Sequence, residues 1–97
     1  MYFVVTRHDK PASLELRLTE RPRHLLYLET VLHKIVFGGA LLAPDGTQNG
    51  SILIIDVPDM AAAHAFADAD PFVDVGLFAE TRIEPFRPVF RDGAWLT

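Results

Sequence analysis

The chain has 97 residues, enough for one modest hydrophobic core and too few for two, so we expect a single domain spanning residues 1–97. Hydrophobic residues make up 49% of it, but no apolar run is long enough for a membrane span and no N-terminal signal sequence is recognisable, which predicts a cytoplasmic protein without a membrane partner. The net charge of −4, with dispersed basic residues, argues against nucleic acid as a partner, and the absence of cysteine excludes disulfides, thiol nucleophiles and thiolate metal sites.

The first half of the chain predicts a strand, a helix and a second strand. Residues 2–7 are β-branched and aromatic without polar alternation, which predicts a strand covered on both faces. Residues 13–34 have helical periodicity interrupted only by Pro22, and residues 35–42 predict the end of the helix and the second strand. The helix has an apolar stripe that we expect to face the core, made up of Leu14, Leu18, Leu25 and Leu32 with Leu28, Val31 and Ile35 beside them.

A histidine and two arginines flank this stripe. His24 lies at its edge and is expected to be half-buried. If the helix continues through Pro22, Arg17 and Arg21 precede His24 on the same flank, and such a row is suited to facing an anion. The alternative is that both arginines are solvated and pair with glutamates of the same helix. If Pro22 instead begins a new helical segment, His24 lies in its first turn, where a neutral imidazole would be placed to accept a proton.

The second half of the chain predicts a hairpin, a second helix and an edge strand. Turn signals at Asp45-Gly46 and Asn49-Gly50 enclose a polar loop, after which residues 51–57 predict another strand covered on both faces. Asp59 is the expected N-cap of an alanine-rich helix. Residues 78–84 alternate in polarity and are followed by prolines, which is typical of an edge strand.

The element order β-α-β-β-α-β predicts an α+β fold. With the first and third strands central and the other two at the edges, it matches the ferredoxin-like sandwich, an antiparallel sheet with two helices on one face. Those helices cover only one face of the sheet, although the central strands are apolar on both. A second copy of the chain is the simplest cover for the other face, so we expect a homodimer formed through the helix-free sheet face.

Asp70 is the polar residue whose position most needs an explanation. Residues Met60, Ala63, Phe66 and Ala67 share one face of the second helix, and the next step along that face is Asp70. The proline that follows ends the helix, so an inward carboxylate should lie beside the partially negative end of a helix. Either a cation or donor is brought to it from elsewhere in the chain, or it caps backbone amides in the next turn.

Five stretches form a recognisable set in this order and spacing: Tyr2-Phe3-Val4-Val5, Arg21-Pro22-Arg23-His24-Leu25-Leu26-Tyr27-Leu28, Gly38-Gly39-Ala40-Leu41, Gly50-Ser51 and Asp70-Pro71-Phe72-Val73-Asp74-Val75-Gly76-Leu77. The set resembles the YciI-like (YCII-related) family over nearly the whole chain. This resemblance implies a dimeric α+β barrel and an active site built around His24 and Asp70. It also implies activity on small ring compounds, including elimination of halide from hydroxylated aromatics, without a metal. The loop at residues 44–49 departs from much of the family, so substrate identity does not carry over.

We therefore hypothesise a small enzyme that uses a His-Asp pair without a cofactor. His24 would act as the general base, and Asp70 would orient the imidazole or hold its charged form, which suits proton abstraction, elimination or isomerisation. The substrate would be a small cyclic or aromatic metabolite. Substrate-binding roles are predicted for Arg21 and Phe72, and for hydrogen-bond donors at Gly39 and Ser51.

Two other classes of function compete with this hypothesis. In one, the chain is a non-catalytic binding or accessory domain, and the same pair recognises a small acid or ties the two helices together. In the other, the chain is a metalloenzyme. Its possible ligands lack any H-x-H or H-E-x-x-H spacing, so we predict no metal site; they are His8, His24, His33, His64 and Asp70.

Overall fold

Four strands form one antiparallel sheet, and all the α-helices lie on one of its faces. The computed structural model describes residues 1–96. The strands are β1 (Tyr2–Asp9), β2 (Ile35–Leu42), β3 (Gln48–Asp56) and β4 (Phe78–Pro85), in the order β2-β3-β1-β4. The helices are α1 (Leu14–Val31), α2 (Met60–Asp68) and the single turn α3 (Pro71–Asp74). The predicted α+β fold is confirmed, with β1 and β3 central and β2 and β4 at the edges.

The hydrophobic core lies between the helices and one face of the sheet. Phe3 and Val5 of β1 are 1% and 2% exposed, and Ile55 of β3, which pairs with Phe3, is fully buried. They pack in one cluster with apolar residues of α2, including Phe66. The next residue of β1 on this face is Arg7, also buried. One end of the core is therefore polar, and the candidate site lies there.

Helix α1 presents a different face to the core from the one that its leucines predict. It runs without a break through Pro22, and its buried residues are Arg17 and Val31. The leucines expected to face the core are between 38% and 60% exposed, namely Leu14, Leu18, Leu25 and Leu32. The prediction is wrong for these four leucines, whereas the neighbouring Leu28, Val31 and Ile35 do pack in or against the core. Arg17 and His24 instead contact buried carboxylates beneath the helix. A buried charge without a partner costs more than an exposed leucine, so the polar contacts orient the helix.

The opposite face of the sheet carries no helix. Val4 pairs with Ile54, and Ile52 follows Ile54 on the same side of β3. Ile52 is 38% exposed, and Phe37 at the edge strand β2 is 76% exposed. This apolar, partly exposed surface is the one for which the sequence predicts a second copy as cover.

The C-terminal segment forms a small hairpin next to this face. It consists of strands β5 (Phe90–Arg91) and β6 (Ala94–Trp95), which pair antiparallel. The Phe90 and Trp95 rings pack with centroids 4.4 Å apart. A cavity of about 810 Å³ is lined by residues 86–92 and by side chains of the sheet that include Phe37. Within residues 1–96, no helix is both long and apolar enough to cross a membrane.

Candidate functional site

Asp70 lies in the link between α2 and α3. Helix α2 ends at Asp68, and Pro71 begins α3, so Asp70 itself has an extended backbone, as the Asp-Pro pair predicts. The residue is only 5% exposed. Its Oδ1 accepts a hydrogen bond of 2.9 Å from the backbone N–H of Phe72, which is the capping role that the sequence left open. The turn therefore fixes a buried carboxylate at the polar end of the core.

His24 projects from α1 towards this carboxylate. Its Nδ1 lies 2.9 Å from Oδ2 and 3.0 Å from Oδ1 of Asp70. Because a carboxylate oxygen accepts the hydrogen bond, Nδ1 is the nitrogen that donates. The His24 side chain is 17% exposed. Nε2 is therefore the ring nitrogen left to exchange a proton with a ligand.

Arg7 of β1 is the second side chain that contacts the Asp70 carboxylate. Its Nη1 lies 3.4 Å from Asp70 Oδ2, and its Nη2 donates a 2.6 Å hydrogen bond to the carbonyl of Ala67. The Arg7 Nε is buried and has no hydrogen-bond partner among residues 1–96. Burial lowers the pKa of the Arg7 guanidinium, and the attraction of Asp70 opposes that change. Asp70 thus has both a cation and a hydrogen-bond donor brought to it from other elements.

Sequence reasoning missed Arg7, although the alternation of β1 contains the signal. We interpreted residues 2–7 as a strand covered on both faces and assigned no role to its last residue. Phe3, Val5 and Arg7 occupy alternate positions, so a strand with a buried Phe3 also buries Arg7. An arginine at an inward strand position requires a buried acceptor, and Asp70 was the inward carboxylate already identified.

Aromatic rings fix the orientation of the His24 imidazole. Phe72, which is 1% exposed, stacks on that imidazole with ring centroids 4.2 Å apart and planes 17° apart. Phe78 meets Phe72 edge-on, with centroids 5.9 Å apart, and the Arg7 guanidinium carbon lies 4.4 Å from the centre of the Phe78 ring. Phe72 therefore forms one wall of the site, where it supports the plane of the imidazole.

A second buried ion pair lies next to the first. Arg17 of α1 donates two hydrogen bonds to Asp9 at the end of β1, at 2.6 Å from Nε and 2.9 Å from Nη2. Both side chains are about 5% exposed or less, and the Arg17 guanidinium carbon lies 5.1 Å from the centre of the Phe72 ring. The interpretation of Arg17 as a solvated residue paired with a glutamate is therefore wrong. Sequence reasoning assigned no role to Asp9 and missed this pair.

The two ion pairs and His24 form a charged cluster at one end of a small core. Burying charges costs free energy, and well-packed apolar residues are often equally stabilising or better in their place. A chain this short has little stability to spare. Concentrations of buried ionisable groups of this kind are characteristic of functional sites, which supports this region as the candidate site.

The other predicted substrate-binding residues lie at different distances from this cluster. Ser51 of β3 pairs with Arg7 of β1 and is half-buried, so it lies at the polar end of the core. Gly39 lies on the edge strand β2 opposite Ile52, with open space where a side chain would be. Arg21 is exposed on α1 and makes no ion pair with any of residues 1–96. Substrate binding by these three residues stays a prediction.

Two further observations concern possible ligands. A cavity of about 390 Å³ opens beside the Arg17–Asp9 pair and is lined by residues 8–14 and 47–49. Among residues 1–96, no three histidine, aspartate or glutamate side chains are grouped as a metal would require. His33 and His64 are exposed, and so is His8.

A four-stranded antiparallel sheet with helices on one face places the chain in the dimeric α+β barrel class of folds. The family model for the YCII-related domain matches residues 1–87, and the chain belongs to this family. Protein YciI from Escherichia coli O6:H1 is 36% identical over 99 residues, covering 93% of this chain and all of the relative. An uncharacterized protein from Haemophilus influenzae is 32% identical over 98 residues, with the same coverage.

Solved structures agree with this assignment. A dehydrochlorinase of 5-chloro-2-hydroxyhydroquinone, TftG from Burkholderia phenoliruptrix AC1100, was solved in complex with 2,5-dihydroxybenzoquinone. It is 37% identical, superposes with a TM-score of 0.83, and the match covers 90% of this chain and 94% of TftG. An antibiotic biosynthesis monooxygenase is 13% identical with a TM-score of 0.51, covering 90% of this chain and 98% of that one, which shows a shared fold only.

Proposed function

We propose that this protein is an enzyme that uses His24 and Asp70 as an acid–base pair on a small hydroxylated aromatic ring. The observation that carries the proposal is the contact of His24 Nδ1 with the buried Asp70 carboxylate, 2.9 Å long, which leaves Nε2 for the substrate. The similarity to a dehydrochlorinase at 37% identity supports a chlorinated hydroxyhydroquinone as the substrate class. The chemistry requires no cofactor.

The proposed reaction is the loss of hydrogen chloride from the ring. Nε2 of His24 takes a proton from a ring hydroxyl, while Asp70 accepts the Nδ1–H hydrogen bond and stabilises the imidazolium. The imidazolium returns that proton to the ring carbon that carries chlorine. The carbon–chlorine bond then breaks with its electron pair on chloride, and a second hydroxyl loses its proton. The ring is oxidised to a quinone as carbon–chlorine becomes carbon–hydrogen, so the elimination needs no external oxidant.

Three neighbouring residues support this assignment. Arg7 balances the charge of Asp70, so that the carboxylate can be buried beside a neutral imidazole as well as beside an imidazolium. Phe72 supports the plane of His24 from one side. Ser51, on the strand next to Arg7, is the best-placed of the predicted substrate-binding residues to donate a hydrogen bond to a ring oxygen.

Turnover of a matched set of ring compounds tests the proposal. Purified protein is incubated anaerobically with 5-chloro-2-hydroxyhydroquinone and, separately, with hydroxyhydroquinone, and both chloride and quinone are measured. We expect equimolar chloride and quinone from the first compound and neither from the second. His24→Gln should lower the rate by about 10²-fold to 10⁴-fold. His33→Gln, which changes an exposed histidine, is the matched control and should keep the wild-type rate. Chloride release equal to that in buffer would contradict the proposed substrate class.

A non-catalytic binding or accessory domain is the second candidate function. It is favoured because residues of the site also make hydrogen bonds that stabilise the fold. Asp70 caps α3, and Arg7 donates a hydrogen bond to a carbonyl near the end of α2. Neither of the two cavities described above is lined by His24 or Asp70. In this case 2,5-dihydroxybenzoquinone would bind, as measured by calorimetry, and none of the ring compounds would turn over.

The proposal includes a homodimer formed through the helix-free sheet face, in the cytoplasm. The exposed Phe37 and Ile52 on that face and the cavity under the C-terminal segment support a second copy as its cover. A chain without cysteine is compatible with a reducing compartment. Sedimentation tests the dimer: Ile52→Glu places a charge on the face and should lower the mass of the wild-type particle twofold.

A further inference from the structure

Helix α1 has a row of leucines that the fold leaves uncovered. Leu18 is 60% exposed and Leu25 is 41% exposed. Leu14 at the start of α1 is 38% exposed, and Leu32, in the 3₁₀ turn directly after α1, is 53% exposed. Leu28 lies beside the row and is half-buried. We name this surface the α1 seam, and its positions in order are Leu14, Leu18, Arg21, Leu25, Leu28 and Leu32. Their spacing alternates between four and three residues, which is the spacing by which one helix packs against another.

The exposed leucines of the seam lie on the flank of α1 turned away from α2, whereas Leu28 also packs against the hydrophobic core. Tyr27 marks the side of α1 that faces α2, because its hydroxyl donates a 2.7 Å hydrogen bond to the carbonyl of Phe66. At 3.6 residues per turn, Leu18 and Leu25 lie about 160–180° round the helix from Tyr27. The seam is therefore on the flank of α1 that does not contact α2, and a second helix has room to pack along it.

The order of the seam is self-complementary. A two-fold axis near residue 23, perpendicular to α1, would bring Leu14 against the partner subunit's Leu32 and Leu18 against the partner subunit's Leu28. The spacings four, three, four, three and four are the same in both directions, so four of the five leucines meet a leucine. Arg21 would meet the partner subunit's Leu25 through its aliphatic stem.

The charged residues Arg21 and Glu29 favour an antiparallel pairing of α1 with α1 of a second copy of the chain. In a parallel pair of these helices, Arg21 would face the partner's Arg21 at the centre of the seam, and two like charges there repel. In the antiparallel pair, Arg21 lies one turn from the partner's Glu29, a distance that an arginine side chain can span. Both Arg21 and Glu29 are exposed, and neither makes an ion pair within residues 1–96. The antiparallel arrangement gives two such ion pairs related by the two-fold axis.

We propose that the α1 seam is a self-association surface, on which α1 of one chain packs antiparallel against α1 of a second copy. This surface is distinct from the helix-free sheet face, since α1 covers the opposite side of the sheet. A chain that uses both surfaces forms a particle of four copies, a pair of dimers, when the two-fold axes of the two interfaces intersect at right angles. The inference is independent of the proposed acid–base chemistry.

Sedimentation of three proteins tests the seam. The double variant Leu18→Gln, Leu25→Gln removes two exposed leucines of the seam, and Leu26→Gln is the matched control because Leu26 is 69% exposed on another face of α1. We expect the double variant to lower the particle mass twofold and the control to keep the wild-type mass. A wild-type monomer, or an unchanged mass in the double variant, would overturn the proposal.

A charge exchange and a cross-link test the antiparallel geometry. Arg21→Glu should lower the particle mass as the double variant does, and Arg21→Glu with Glu29→Arg should restore it. The chain has no cysteine, so Leu25→Cys and Leu26→Cys each introduce one thiol. Paired helices have axes about 8–10 Å apart, so a short bis-maleimide should join two chains of the first variant and not of the second. This readout does not depend on disrupting the assembly, and failure to cross-link at Leu25→Cys would contradict the pairing.

Discussion

The rings of His24 and Phe72 lie face to face, with centroids 4.2 Å apart and planes inclined by 17°. Phe72 sets the plane of the imidazole, and the adjacent Asp70 sets which ring nitrogen donates. Asp70 and Phe72 come from one turn of chain that begins with the Asp70-Pro71 pair. The site thus needs correct packing of this turn against α1 as well as correct charges.

Replacing Phe72 with leucine separates packing from charge. Phe72→Leu keeps the site apolar but removes the flat surface beneath the imidazole. We expect the free energy of unfolding to fall by about 1–2 kcal/mol, because leucine is smaller than phenylalanine and leaves part of the buried ring's volume empty. The rate of chloride release should fall more than tenfold because the imidazole is no longer held in one plane. Urea unfolding and the chloride assay give the two values, and a variant with the wild-type rate would show that the stacking is only structural.

Arg7 stabilises the fold through its charge and its hydrogen bond to the end of α2. Arg7→Met should lower the free energy of unfolding by about 3–5 kcal/mol because Asp70 then keeps a buried charge with less compensation. Arg7→Lys keeps the charge but not the guanidinium fork, so we expect a smaller loss. Urea unfolding of the two variants checks the order. Equal stability of Arg7→Met and wild type would contradict the account.

The Arg17–Asp9 pair should show strong coupling. Arg17→Met leaves the Asp9 carboxylate buried without its partner, with an expected loss of about 3–5 kcal/mol. Arg17→Met combined with Asp9→Leu removes both charges and should be less destabilised than Arg17→Met alone. The measurement is a double-mutant cycle of unfolding free energies. Additive losses would show that the two side chains do not depend on each other.

Tyr27 makes stability sensitive to alkaline pH. Burial raises the pKa of the Tyr27 hydroxyl, and the Asp70 carboxylate acts in the same direction. Above about pH 10 the unfolded chain releases this proton while the folded chain keeps it, so the free energy of unfolding falls as pH rises through the folded-state value. Tyr27→Phe should cost about 1 kcal/mol at pH 7, through its lost hydrogen bond to Phe66, and should remove this alkaline decline. Unfolding between pH 7 and pH 11 tests both effects, and an equal alkaline decline in the variant would reject Tyr27 as its source.

The strands and turns were predictable because their signals are local. The runs at β1 and β3 are apolar at successive positions, and both proved central in the sheet. Asp59 caps α2 through its side chain, and Asp70 precedes the turn that its proline requires. Each of these predictions depends on residues only a few positions apart.

The orientation of α1 was not predictable in the same way. A helical wheel ranks the faces of a helix by hydrophobicity, so the leucine-rich face of α1 ranks above the face that carries Arg17 and His24. That face is buried because Arg17 contacts Asp9 and His24 contacts Asp70 beneath it. Asp9 is 8 positions from Arg17 in the chain, and Asp70 is 46 positions from His24. Only the packing of the α2–α3 link beside the end of β1 brings the two carboxylates to the same end of the core. The pairing of His24 with Asp70 was implied by the family resemblance and agrees with the positions expected for the two residues. Arg7 was overlooked although the alternation of β1 carries its signal, whereas the role of Asp9 required the fold.

The most direct test of the central claim, that His24 and Asp70 act as one acid–base unit, is a double-mutant cycle measured by chloride release from 5-chloro-2-hydroxyhydroquinone. The four proteins are wild type, His24→Gln, Asp70→Asn and the double variant, each checked for folding by circular dichroism. We expect each single variant to lose at least about 10²-fold in rate and the double variant to be little worse than the slower single one, because members of a catalytic unit are not additive. Losses that multiply in the double variant, or an Asp70→Asn protein as fast as wild type, would contradict the claim.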